Sequence, residues 1–173
     1  IQLNGQYHLY YSVSTFGKQM SAIGLATSPS IDPAAPSYRW TDHGAVILST
    51  NGSPFNAIDP AVFRDRDGKL WMVFGSFWRG IYLVELDSRT GQRVAPDSPL
   101  HRVAYHSDIE AASLHRREDR YYLFVNWGRC CRGTNSTYEI RVGRSQNITG
   151  PYLDRDGQDW ISYDENGVLV PKT

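Results

Sequence analysis

Apolar and polar positions alternate with a two-residue period in three separated stretches of the chain. Tyr7, Leu9, Tyr11 and Val13 alternate with His8, Tyr10 and Ser12; Leu70, Met72 and Phe74 with Trp71 and Val73; Tyr121, Leu123 and Val125 with Tyr122 and Phe124. Successive side chains of a strand point to opposite faces, so this period predicts strands. No window of about 11 residues carries an apolar stripe of helical period. Gly, Pro, Asp and Asn interrupt the chain at intervals of roughly 8 to 15 residues, as turns between strands do. The pattern predicts an all-β protein.

The three stretches also resemble one another. Asn4-Gly5-Gln6 leads into the first, Asp67-Gly68-Lys69 into the second and Glu118-Asp119-Arg120 into the third. Each aromatic-rich strand then ends on a small or polar residue: Ser12, Gly75 or Asn126. Asn-Gly and Asp-Gly are hairpin signals because both central positions tolerate positive φ. Each unit continues into a second apolar strand, Ala22 to Thr27, Ile81 to Leu86 and Glu139 to Gly143. The spacing is 63 residues from Tyr7 to Leu70 and 51 from Leu70 to Tyr121. A period of that size with about four strands is that of a β-propeller blade. The expected blades are roughly 1–52, 53–103 and 104–173. A β-sandwich with chance likeness among its hairpins is the alternative that the pattern leaves open. Three blades do not close a ring, since propellers have about 4 to 8; the expectation is that further blades are missing or come from another chain.

Composition narrows the class. The chain has 173 residues, with 18 Lys plus Arg against 18 Asp plus Glu, so its net charge is zero and no basic run concentrates a field. Nucleic acid and anionic membrane surfaces are therefore not expected partners, and no apolar run approaches the ~20 residues of a membrane span. The two cysteines, Cys130 and Cys131, are adjacent. Neither has the spacing of a zinc site, and two free thiols are expected rather than a strained vicinal bridge. His101, His106 and His115 read as turn or outer-strand residues rather than metal ligands.

Two acids stand at equal offsets: Asp59 lies 12 residues before Trp71, and Glu110 lies 12 before Tyr122. If the first strand of each blade lines a central channel, the two carboxylates share one cavity. Glycoside hydrolysis requires one carboxylic acid to protonate the leaving oxygen and another carboxylate to activate water. Two exposed strand-edge acids with no such role are the bland alternative.

The segments Tyr10 to Gly17, Ser21 to Ser28, Asn56-Ala57-Ile58-Asp59-Pro60, Phe74-Gly75-Ser76-Phe77-Trp78, Cys130-Cys131-Arg132-Gly133 and Ser136-Thr137-Tyr138 occur in the same order as in the endo-α-1,5-L-arabinanases of glycoside hydrolase family 43, which the chain resembles over nearly its whole length. The resemblance implies a five-bladed propeller, of which about three blades are present, an inverting hydrolysis, a substrate of α-1,5-linked arabinofuranose, and secretion. It implies that Glu110 is the general acid and that Asp59 tunes and orients it. The family's general base, an Asp on the first blade, has no counterpart; Asp32 falls in an outer turn. The chain is therefore expected to begin inside the second blade. Pro usually follows the acid by two residues, where Ala112 stands here. A calcium ion on the channel axis is possible by resemblance, but its histidine ligand is not found, and no cofactor is required. Phe16, Asn56, Ser76, Trp78 and Arg132 are the candidate sugar contacts, because sugar rings stack on aromatic faces and need directed hydrogen bonds. The competing readings are a carbohydrate-binding or self-assembling fragment, with a homo-oligomer covering open blade edges, and a related xylosidase or arabinofuranosidase.

Overall fold

In the computed structural model, which describes residues 1–163 and 168–170, the regular structure is antiparallel β apart from one 3-10 turn, Gly133–Asn135. The first sheet runs in chain order: β1 (Gln2–Leu3), β2 (Gln6–Val13), β3 (Ser21–Ser28) and β4 (Thr41–Ser49). The second does the same with β5 (Ala61–Arg64), β6 (Leu70–Phe74), β7 (Ile81–Leu86) and β8 (His101–Ala104). The third holds β9 (Ile109–Arg117), β10 (Arg120–Trp127) and β11 (Glu139–Ser145). A separate short pair, β12 (Ser162–Tyr163) and β13 (Leu169–Val170), completes the elements. Meandering sheets that stack face to face are propeller blades, and no described helix is long and apolar enough to cross a membrane.

The three expected hairpins form, each with its own turn. Asn4 and Gly5 both take positive φ, +50° and +78°, as a two-residue type I′ turn requires. At Asp67-Gly68 only Gly68 does, at +85°; Gly68 N–H donates to Asp65 O and Asp65 N–H to Lys69 O, which makes a three-residue loop. Glu118 alone is left-handed in the third turn, at +56°.

The middle blade explains why its strands read as nearly continuous apolar runs. All of β6 is buried, because Leu70, Met72 and Phe74 face the first blade while Trp71 and Val73 face the third. On one side Leu3, Ile23, Leu25 and Ile47 pack against Phe55, Phe74 and Tyr82, with the Phe55 and Phe74 rings edge to face at 5.3 Å. On the other side Leu83 and Val103 pack against Leu114, Leu123 and Trp127, and Trp160 closes that core from beyond β11. Burying each such side chain contributes about 1.5–3 kcal/mol relative to exposure. A polar staple reinforces this second seam: Asp65 accepts hydrogen bonds from Arg116 Nη1 and Tyr121 Oη, both at 2.5 Å. Burial pushes the Asp65 carboxyl up, but those two donors, the Arg66 N–H and the Arg116 charge together outweigh it and hold it below the usual carboxylate range.

Candidate active site

Glu110 is the second residue of β9, and a break in the ladder aims it. Ser113 stands opposite Phe124 and Glu110 opposite Asn126, so β9 uses three steps where β10 uses two. The extra residue is a bulge, with Ala111 left-handed at φ +51°. Its effect is legible in the core: Ala112 and Leu114 face the second blade, and after the bulge it is Ile109 that joins them. Uninterrupted alternation would put Glu110 on that apolar face. The bulge instead releases it toward the cleft, where Ser76 Oγ donates to Oε2 at 2.9 Å and Tyr138 Oη to Oε1 at 2.5 Å.

Asp59 precedes β5, also left-handed at φ +56°. Its N–H donates to Ser12 Oγ at 3.2 Å, and its Oδ2 accepts the Ala111 N–H at 3.2 Å, so it touches the bulge beside Glu110. Burial and then the neighbouring Glu110 charge push the Asp59 carboxyl above the usual range, against the pull of the Ala111 N–H. The loop after β6 ties the two acids together: Gly75 N–H donates to Ile58 O and Phe77 N–H to Ile109 O, the residues just before each acid. Gly80 closes this loop at φ +91°, and a Cβ there would lie 2.1 Å from Ala104 O.

Beside the acids opens a cleft of about 780 Å³, whose walls include Phe16, Trp78, Ser107, Glu110, Cys130 and Arg132. Among the described residues seven non-glycine residues take positive φ, and five of them, Asp59, Phe77, Trp78, Ala111 and Cys131, stand in this wall or next to a wall residue. Such strain concentrates where surrounding structure holds a geometry that function needs.

The expected sugar contacts divide. Phe16, 93% exposed, and Trp78, 38% exposed, stand at the cleft outside both cores, and Arg132 is also exposed there. Ser76 is buried with its hydroxyl given to Glu110, and Asn56 is buried with its oxygen accepting from Ser21 Oγ at 2.6 Å. Both line the cleft but are already engaged within the protein. The thiol expectation is corrected: Cys130 and Cys131 form a disulfide, reached because Cys131 at φ +68° turns the chain sharply enough for adjacent sulfurs to meet. His106 stacks on Trp127 at 4.2 Å, and its Nδ1 accepts the Asp108 N–H. Among the described residues no three His, Cys, Asp or Glu side chains converge.

Tyr138 and Asn126 are the participants that the acids' spacing did not reveal. Asn126 lies near the Tyr138 hydroxyl and faces Glu110 across the ladder. The small or polar residue closing each aromatic strand was the available signal: Ser12 meets Asp59, Gly75 binds Ile58, and Asn126 stands across the ladder from Glu110.

Comparison with known proteins agrees with this geometry. The extracellular endo-α-(1→5)-L-arabinanase 1 of Bacillus subtilis (strain 168) is 47% identical over 162 residues, covering 91% of this chain and 48% of that protein. The extracellular exo-α-(1→5)-L-arabinofuranosidase of Cellvibrio japonicus (strain Ueda107) is 45% identical over 171 residues, covering 91% and 49%. The Cellvibrio cellulosa α-L-arabinanase complexed with arabinohexaose superimposes with a TM-score of 0.87 at 42% identity, covering 98% of this chain and 57% of that one. The chain thus spans about half the length of the relatives it matches. With the model of the glycosyl hydrolases family 43 matched from residue 1 to residue 169, over all three blades, the chain belongs to that family.

Proposed function

We propose that this chain carries part of the catalytic apparatus of a secreted glycoside hydrolase that cleaves α-1,5-linked L-arabinofuranose chains with inversion. The observation that carries the reading is Glu110, turned by a bulge out of an apolar face and into a cleft edged by exposed aromatic rings. In the proposed reaction Glu110 delivers its proton to the glycosidic oxygen as the bond to the anomeric carbon breaks. Water attacks that carbon from the opposite face, and its proton passes to a base about 6.5–9.5 Å from the acid. Asp59 supplies the neighbouring negative charge and, through the Ala111 N–H, anchors the bulge that aims Glu110. Phe16 and Trp78 offer stacking faces and Arg132 a donor to sugar hydroxyls. No cofactor enters this scheme. Family membership and relatives named as extracellular arabinanases support the substrate class and secretion.

Among the described residues Glu110 is the one carboxylate lining the cleft, so for the chain by itself a second reading has support: it binds arabino-oligosaccharide with little turnover. We propose further that a second copy of the chain covers the apolar outer faces of the first and third blades. The enzymatic reading is tested by reducing-end release from debranched arabinan together with arabinohexaose binding. The parent chain is expected to turn over far more slowly than a full-length relative. Glu110→Gln should lower what turnover there is by roughly 10²–10⁴-fold while keeping the oligosaccharide bound. Unchanged hydrolysis in that variant removes Glu110 from the mechanism.

A further inference from the structure

A general acid must lose and regain a proton in every cycle without losing its aim, and the groups around Glu110 suit that demand. Each carboxyl oxygen is held by a hydroxyl, Oε2 by Ser76 and Oε1 by Tyr138. A hydroxyl both donates and accepts, so it can follow the carboxyl through either protonation state, which an ammonium or guanidinium cannot do. Tyr138 lies just before β11 with the Asn126 side chain near its hydroxyl, and Asn126 stands directly across the ladder from Glu110.

We propose that Tyr138 is a positioning residue that orients the Glu110 carboxyl for proton delivery. The phenol keeps its own proton for this purpose: burial and the Glu110 carboxylate both push the Tyr138 hydroxyl above its usual range. The other charged groups facing Glu110 come from two sides. Asp59 opposes it from the second blade, and from the loop after β10 stand Arg132 and Arg129, the latter paired with Asp108 at 3.4 Å. Among the described residues the two hydroxyls, and neither arginine, donate hydrogen bonds to the carboxyl.

The role rests on the reading of Glu110 as the acid, but its test does not depend on turnover. The chain is labelled with 13Cδ glutamate, and the Glu110 resonance is identified by its loss in Glu110→Gln. At one fixed pH, Tyr138→Phe should displace and broaden that resonance, because loss of the donor on Oε1 lets the carboxyl rotate, while the other glutamate resonances stay in place. Asn126→Ala should move it the same way by less. An unchanged Glu110 resonance in folded Tyr138→Phe overturns the proposal; if that variant does not fold, an unchanged resonance in Asn126→Ala does so. A displaced resonance with hydrolysis unaffected in Glu110→Gln would keep Tyr138 as the partner of Glu110 while discarding Glu110 as the acid.

Discussion

At the scale of single residues, the site is assembled against local preference. Asp59 is left-handed, half-buried and next to a second acid, and each of these features opposes folding. The sign of the pH effect follows. A carboxyl whose folded-state pKa is raised holds its proton to higher pH in the native chain than in the unfolded one. Its contribution to stability therefore falls as pH rises from the ordinary Asp value of about 3.9 through the raised value. Asp59→Asn removes that loss while leaving an oxygen to accept the Ala111 N–H. Melting curves should show the variant more stable than the parent at pH 7, with the difference closing as pH is lowered toward 4. A variant less stable at pH 7 would mean that the acidic form makes contacts that outweigh its repulsion. Asp65 has the opposite sign: its depressed pKa stabilises the fold at neutral pH, and that contribution is lost as pH falls through its folded value.

At the scale of elements, function sits where regular structure is interrupted. The bulge in β9 reverses the alternation and so decides which way Glu110 faces. The segment between β10 and β11 does similar work from the other side. Gly128, at φ +86°, fits against Thr137, where a Cβ would lie 2.3 Å from the Thr137 carbonyl; Thr137 N–H bonds Arg129 O, and Tyr138 follows at once. The Cys130–Cys131 bridge lies within this closed loop, with Cys130 and Arg132 in the cleft wall. Reducing the bridge frees the loop to sample other turns. Titration with arabinohexaose followed by tryptophan fluorescence should show roughly threefold to tenfold weaker binding under reductant, the equivalent of ordering one or two side chains at about 0.5–1.5 kcal/mol each. A Cys130→Ser, Cys131→Ser double variant should match the reduced chain. Equal affinity in all three states would mean that the loop's backbone bonds suffice.

At the scale of the whole molecule, the middle blade is saturated and the outer two are not. Leu9, Val13 and Leu48 share the outward face of the first blade, and Phe124, Ile140 and Val142 that of the third, all exposed. Contiguous apolar surface of this kind marks an interface. Light scattering of the chain at micromolar concentration should give twice the mass of one copy, and Leu48→Glu with Val142→Glu should return the mass of a monomer. A monomer in the parent chain would retire the proposed self-association.

Much of this was legible from residue order alone, for a physical reason. Strand periodicity, turn chemistry at Asn4-Gly5 and the equal offsets of Asp59 and Glu110 are short-range properties, carried by neighbouring residues and by a repeated unit that folds each time in the same way. Three results required the folded chain. The engagement of Ser76 and Asn56 within the protein, the approach of Tyr138 to Glu110 and the union of the two thiols each depend on where separate segments meet and on φ values that residue type does not dictate. Ala111 is the clearest case: an alanine carries no sign of the left-handed turn it makes. That turn, imposed by the pairing of β9 with β10 and by the Asp59 carboxylate, selects the face on which the acid stands.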